Sequence, residues 1–162
     1  MLAALVLFVQ LFVLNNLSIS PYVAPMVYIL LIVMLPIETS QWKMLGVAVA
    51  VGVLMDVTMG TLGLNTLVTL PVAYFRRPIL YSFTGLSTIS KEDGIPTLRK
   101  LGVRFHRYVI TLIVIHSVLF YFAEWLSFNN FGTLILRIFI STFISLLLDY
   151  VIMMLFMKRL SA

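Results

Sequence analysis

An all-α integral membrane protein with six transmembrane helices is the fold class this chain predicts, and three observations predict it. Of its 162 residues, 62% are hydrophobic and only 10% are charged, against roughly half and a quarter in water-soluble domains. The mean hydropathy of +1.11 extends along the whole chain, so the apolar residues form repeated spans and not one anchor beneath a soluble head. Finally, Lys and Arg fall on one side of the turns only.

Crossing ~30 Å of hydrocarbon takes about 20 helical residues. Six segments are read as spans: Leu2–Leu17, Tyr22–Pro36, Trp42–Thr58, Leu62–Phe75, Arg107–Trp125 and Phe131–Met157. The first has no basic leader and no small-residue cleavage site, so it reads as a span and not as a removable signal peptide. Turn chemistry separates the segments: Asn15-Asn16 through Ser20-Pro21, Pro36 through Ser40, Gly60-Thr61-Leu62-Gly63, a polar loop over 76–106, and Asn129-Asn130. Several spans are short and imply tilt or local thinning of the bilayer.

Translocated loops are poor in Lys and Arg. With both termini cytoplasmic, Lys43, the basic residues of the 76–106 loop with Arg107, and the terminal Lys158 and Arg159 all lie inside. The outer turns then carry none. The end of the loop reads as an amphipathic helix, with Leu98, Leu101, Phe105 and Tyr108 on one face and Arg99, Lys100, Arg104 and Arg107 on the other. This basic surface suits anionic lipid at the cytoplasmic face or a cytoplasmic partner, unless its charges serve only to set topology.

Polar residues inside spans are costly and each calls for a reason. Asp56 continues a stripe of small residues at four-residue spacing, Ala48, Gly52 and Gly60, suited to close helix packing. Arg137 lies at a matching depth in the last span and either pairs with Asp56 or extends to the headgroups. Ser141, Ser145 and Asp149 prolong a polar ridge below it, for interhelical hydrogen bonds or a substrate path. His116, mid-span, reads as a hydrogen-bonding residue. His106 lies ten residues earlier, too far along the helix for the two to hold one metal. With no cysteine, no zinc or phosphate-loop motif and no nucleophile turn, neither a catalytic site nor a cofactor is expected. The absence of a soluble basic module speaks against nucleic acid.

The run Gly52-Val53-Leu54-Met55-Asp56, then Gly60-Thr61-Leu62-Gly63-Leu64-Asn65, then Ala73-Tyr74-Phe75-Arg76-Arg77-Pro78 resembles the central hairpin of the rod shape-determining protein MreD family. The likeness extends to Asn16, Pro25-Met26-Val27-Tyr28 and Pro36 upstream. Downstream it takes in Gly94-Ile95-Pro96, His116, Phe128-Asn129-Asn130, Arg137 and Ser141-Thr142, as in the type found in Bacteroidetes-like bacteria. Asp149 and Ser117 depart from that pattern. The resemblance implies a six-helix fold similar to the substrate-binding component of energy-coupling-factor vitamin transporters. It also implies a non-enzymatic scaffold in the bacterial inner membrane. The partners it implies are MreC, with MreB, RodA and the elongation penicillin-binding protein in one complex for lateral peptidoglycan synthesis. The competing expectation is a small-molecule or lipid-binding membrane component.

Overall fold

The computed structural model describes residues 2–14, 25–85, 94–127 and 131–160. They form seven α-helices and one π-helical turn, with no strand among the described residues. Helix α1 (Leu2–Phe8) passes directly into the π-turn Val9–Val13. Helix α2 (Leu30–Val33) is a single turn, followed by α3 (Gln41–Met59) and α4 (Leu64–Thr84). A short α5 (Leu98–Leu101) leads into α6 (Val103–Ser127), and α7 (Phe131–Leu160) ends the chain. Among the described residues, three stretches are long and apolar enough to cross a membrane: Gln41–Met59, Val103–Trp125 and Ile135–Leu155. The turn expected at Asn15 through Pro21, the Lys91 part of the loop and the Asn129-Asn130 break lie outside the described residues.

Two expectations about the elements need correction. The second span, Tyr22–Pro36, is not a continuous helix in its described part: residues 25–29 are non-helical, α2 adds four residues, and the chain bends again through 34–40. This stretch is nevertheless buried, with Met26 through Leu30 almost without exposure. The fourth helix does not stop at Phe75 but runs on to Thr84, through Pro71 and Pro78, so the loop expected from 76 begins only after it. Proline 78 has no N–H to give the carbonyl four residues back. That carbonyl, Tyr74 O, instead accepts Gln41 Nε2 from the start of α3 at 3.1 Å.

Helix α4 packs between α3 and α6, and α6 packs in turn against α7. The largest core gathers Ile29, Ile32 and Val33 from the broken segment, Val72 and Leu80 from α4, and Phe105, Tyr108 and Leu112 from α6. Leu101, Phe105 and Tyr108 are therefore core residues, and Gly102, at φ +56°, separates α5 from α6. The apolar face of the expected surface helix is buried in protein and cannot enter a leaflet. Its basic face remains outside: Arg99, Arg104 and Arg107 are exposed and Lys100 is half-buried.

Candidate functional site: the polar interior and the helix hairpin

At the α3–α4 hairpin the chain reverses through Gly60 and Gly63, at φ +66° and +87°, conformations that side chains with a Cβ resist. Asp56 reaches across this turn and accepts five hydrogen bonds, from the backbone N–H of Asn65 and Thr66 at 2.8 and 2.9 Å, the hydroxyls of Thr61 and Thr66 at 2.8 and 2.6 Å, and Asn65 Nδ2 at 3.1 Å. It thus caps α4 from the end of α3, taking up N–H groups that no helix can satisfy internally. A Cβ on Gly52 would lie 2.6 Å from Thr66 Cα, and Thr69 Oγ1 donates to Ala48 O at 3.2 Å. Ala48 and Gly52 therefore provide the close approach expected of them. Gly60 does not: a Cβ there would meet nothing within 4 Å, and its part is the turn conformation.

Behind the hairpin, Asn65 is oriented by what its amide donates to. With Nδ2 turned to Asp56 and Thr61, its Oδ1 accepts the Tyr28 hydroxyl at 2.8 Å. Tyr28 has only that proton, so its oxygen must accept from His116 Nε2, 2.9 Å away. His116 accordingly carries its proton on Nε2, and its buried Nδ1 has no partner among the described residues. Helices α3, α4 and α6 and the broken segment are joined in this way by one line of buried side chains.

The same logic holds the broken segment elsewhere. Buried irregular backbone persists only where protein satisfies its polar groups. Gln10, in the π-turn, accepts Val27 N at 2.7 Å and donates to Pro25 O at 3.3 Å, while Ser145 Oγ on α7 accepts Met26 N at 3.0 Å. On the far side, Arg76 is the largest fully buried side chain among the described residues. Its Nε donates to Tyr108 Oη at 2.9 Å, Nη2 to the carbonyls of Val33 and Leu35, and Nη1 to Pro36 O and Met44 Sδ. Tyr108 donates onward to Val33 O at 2.9 Å. Arg76 thus closes the carbonyl end of α2 instead of standing in a loop as a topological charge.

Arg137 does not meet Asp56. Its Nη1 lies 3.1 Å from Glu124 Oε1, across the α6–α7 contact, with 30% and 23% of the two side chains exposed. The Asp56 carboxylate is already saturated by the α4 terminus, which removes the reason for that pair. Ser141 is buried, and Asp149 is fully buried with both carboxyl oxygens unpartnered among the described residues. No cluster of three metal-ligating side chains occurs among the described residues. Outside the helices, Glu38 accepts Gly94 N at 2.8 Å. Hydrogen bonds from its own amide and from Gly94, helped by nearby Lys100, hold its carboxyl below the ordinary range.

Gln10, Tyr28, Asn65, Arg76 and Glu124 were not expected as site residues: Tyr28, Asn65 and Arg76 lie in the runs that carry the resemblance, Glu124 is a carboxylate within a span, and Gln10 gave no signal. No family model, curated protein or solved structure matches the chain.

Proposed function

We propose that this chain is a non-enzymatic scaffold of a bacterial cell-wall elongation complex, the role that its resemblance to MreD implies. The observation that carries the reading is the α3–α4 hairpin, the part of the chain where the resemblance is densest. Gly52, Asp56, Gly60, Gly63 and Asn65 there act together on one task, locking two antiparallel helices at close range. Such a unit offers a rigid wall to partner helices.

In this reading the chain crosses the inner membrane six times, the second crossing being the broken segment around α2, with both termini cytoplasmic. The exposed Lys43, Arg99, Arg104 and Arg107 support that orientation, as does the uncharged α3–α4 turn. The basic face then meets anionic lipid or the cytoplasmic side of the complex. MreC is the direct partner, with MreB, RodA and the elongation penicillin-binding protein in the same assembly.

Co-purification with tagged MreC tests the function. Wild-type chain is retained, and Gly52→Leu, which forces α3 from α4, is lost from the complex at matched membrane abundance; failure of the wild type to co-purify overturns the reading. An active alkaline phosphatase fused after Ala162 would overturn the topology. A small-molecule or lipid-binding component is the second reading, favoured by two grooves beside the hairpin.

A further inference from the structure

Two apolar grooves flank the outer-facing edge of α4. One, of about 760 Å³, runs between α3 and α4 past Val53, Val57 and Leu70. The other, of about 620 Å³, runs between α4 and α6 past Leu64, Phe120, Ala123 and Glu124. Both share Gly60, Leu62, Gly63 and Leu67. Leu62 and Leu67 form the ridge between them and are strongly exposed, at 106% and 64%. Nothing lies within 4 Å of where a Cβ would stand on Gly60 or Gly63, and both grooves end at this turn, which lines each of them. At that end, in the second groove, lies Glu124, paired with Arg137 yet partly exposed.

We propose that this double groove is a binding site for one diacyl phospholipid with a primary-ammonium headgroup, phosphatidylethanolamine. The proposal rests on the reading that the chain spans a membrane. Two grooves that meet at a common end match two acyl chains that meet at one glycerol, which a single-chain amphiphile or a free cation would not fill. At the polar end Glu124 lines the second groove, and the guanidinium of Arg137 lies 3.1 Å from its carboxylate. Their complement is a cation linked by a short tether to an anion, as ammonium is to phosphate in this headgroup. Glu124 Oε1 takes Arg137, and Oε2 carries no hydrogen bond among the described residues. It can therefore accept an ammonium N–H, a charge-assisted bond. A quaternary choline has no N–H to give, and phosphatidylglycerol has no cation, so the chemistry selects among bilayer lipids.

The chain has two tryptophans, Trp42 and Trp125, and Trp125 adjoins Glu124, so Trp42→Phe makes Trp125 a sole reporter of the site. In phosphatidylglycerol vesicles, chain-brominated phosphatidylethanolamine should quench it at a mole fraction about tenfold below that required of brominated phosphatidylcholine. Glu124→Gln, which keeps an amide beside Arg137, should abolish that preference. Ala123→Phe, which fills the groove without touching the charges, should do the same with helicity unchanged. Equal quenching by both lipids in the wild type, or a preference that survives both substitutions, overturns the site while leaving the membrane reading intact. Absence of quenching by every brominated lipid overturns the membrane reading itself.

Discussion

Asp56 and Thr66 are joined twice, the carboxylate of one accepting both the backbone N–H and the hydroxyl of the other at 2.9 and 2.6 Å. The last full turn of α3 therefore supplies the N-cap that α4 lacks, since Gly63 at the cap position has no side chain to give. Asp56→Ala should destabilise the fold by about 2 kcal/mol or more, at the upper end of cap losses because Asn65 also loses an acceptor. Asp56→Asn should be intermediate, its amide retaining one acceptor oxygen. Thermal unfolding in detergent, followed by helicity, gives the order Ala worse than Asn; equal and negligible losses would contradict the cap.

Arg137 is coupled to Glu124 and independent of Asp56. A double-mutant cycle on Glu124→Gln and Arg137→Gln should give a coupling of roughly 0.5–1 kcal/mol, modest because both side chains are partly exposed. The cycle on Asp56→Asn and Arg137→Gln should give none. Coupling to Asp56 in place of Glu124 would show that the helices neighbour one another differently.

Gly52 and Gly60 lie eight residues apart in one stripe yet should respond to substitution for different reasons. At Gly52, Ala brings a Cβ to 2.6 Å from backbone; the helices must part, at about 1–3 kcal/mol. At Gly60, Ala meets open space and suffers only the left-handed φ, about 1 kcal/mol. Gly60→Asn, which tolerates that conformation, should recover most of the loss, while Gly52→Asn should be the worst of the set. The same unfolding assay reads all four.

How far the sequence reaches can be judged residue by residue. The apolar runs of α3, α6 and α7 stand out because length and hydropathy report directly on membrane-crossing helices. Pro25 through Pro36 is equally apolar, and composition cannot distinguish a helix from irregular backbone whose amides are taken by Gln10 and Ser145, 17 and 119 residues away. Arg76 was hidden by its neighbour, since Arg76-Arg77-Pro78 has the composition of a loop start. For Arg137, depth along the helix suited Asp56 and Glu124 alike. Consecutive helices are usually neighbours, which favours Glu124 on the preceding helix, and the saturation of Asp56 appears only once the hairpin is folded.

Glu38 gives the fold a pH dependence at its loop side. Its carboxyl is held below the ordinary range chiefly by hydrogen bonds from its own amide and from Gly94. A carboxylate with a lowered folded pKa contributes fully above its unfolded value, about 4.3, and loses that contribution as pH falls through the lowered folded value. Hydrogen exchange at the Gly94 amide should therefore stay protected at neutral pH and lose protection in acid beyond the intrinsic pH effect. Glu38→Gln should be less protected than wild type at neutral pH and converge with it in acid, and an identical profile in both proteins would remove Glu38 from this role.

Arg76 presents the sharpest contrast between a charge and its surroundings. It is fully buried, no carboxylate touches it among the described residues, and its guanidinium is held by Tyr108 and by carbonyls at the end of α2. A planar fork with five donors can serve several acceptors at once, which an ammonium cannot. Arg76→Lys should therefore lose most of what Arg76→Gln loses, despite keeping the charge. Each should cost about 3 kcal/mol or more, because the Leu35 carbonyl and the buried Tyr108 hydroxyl oxygen lose their donor. Arg107→Gln, a change of the same chemistry at an exposed position beside the core residue Tyr108, should stay within about 0.5 kcal/mol. Protease resistance of the 25–40 segment in purified protein reads the local consequence. It should fall in both Arg76 variants and not in the Arg107 variant, and a ranking in which Arg76→Lys behaves like wild type would show that charge alone, and not the fork, holds the broken segment in place.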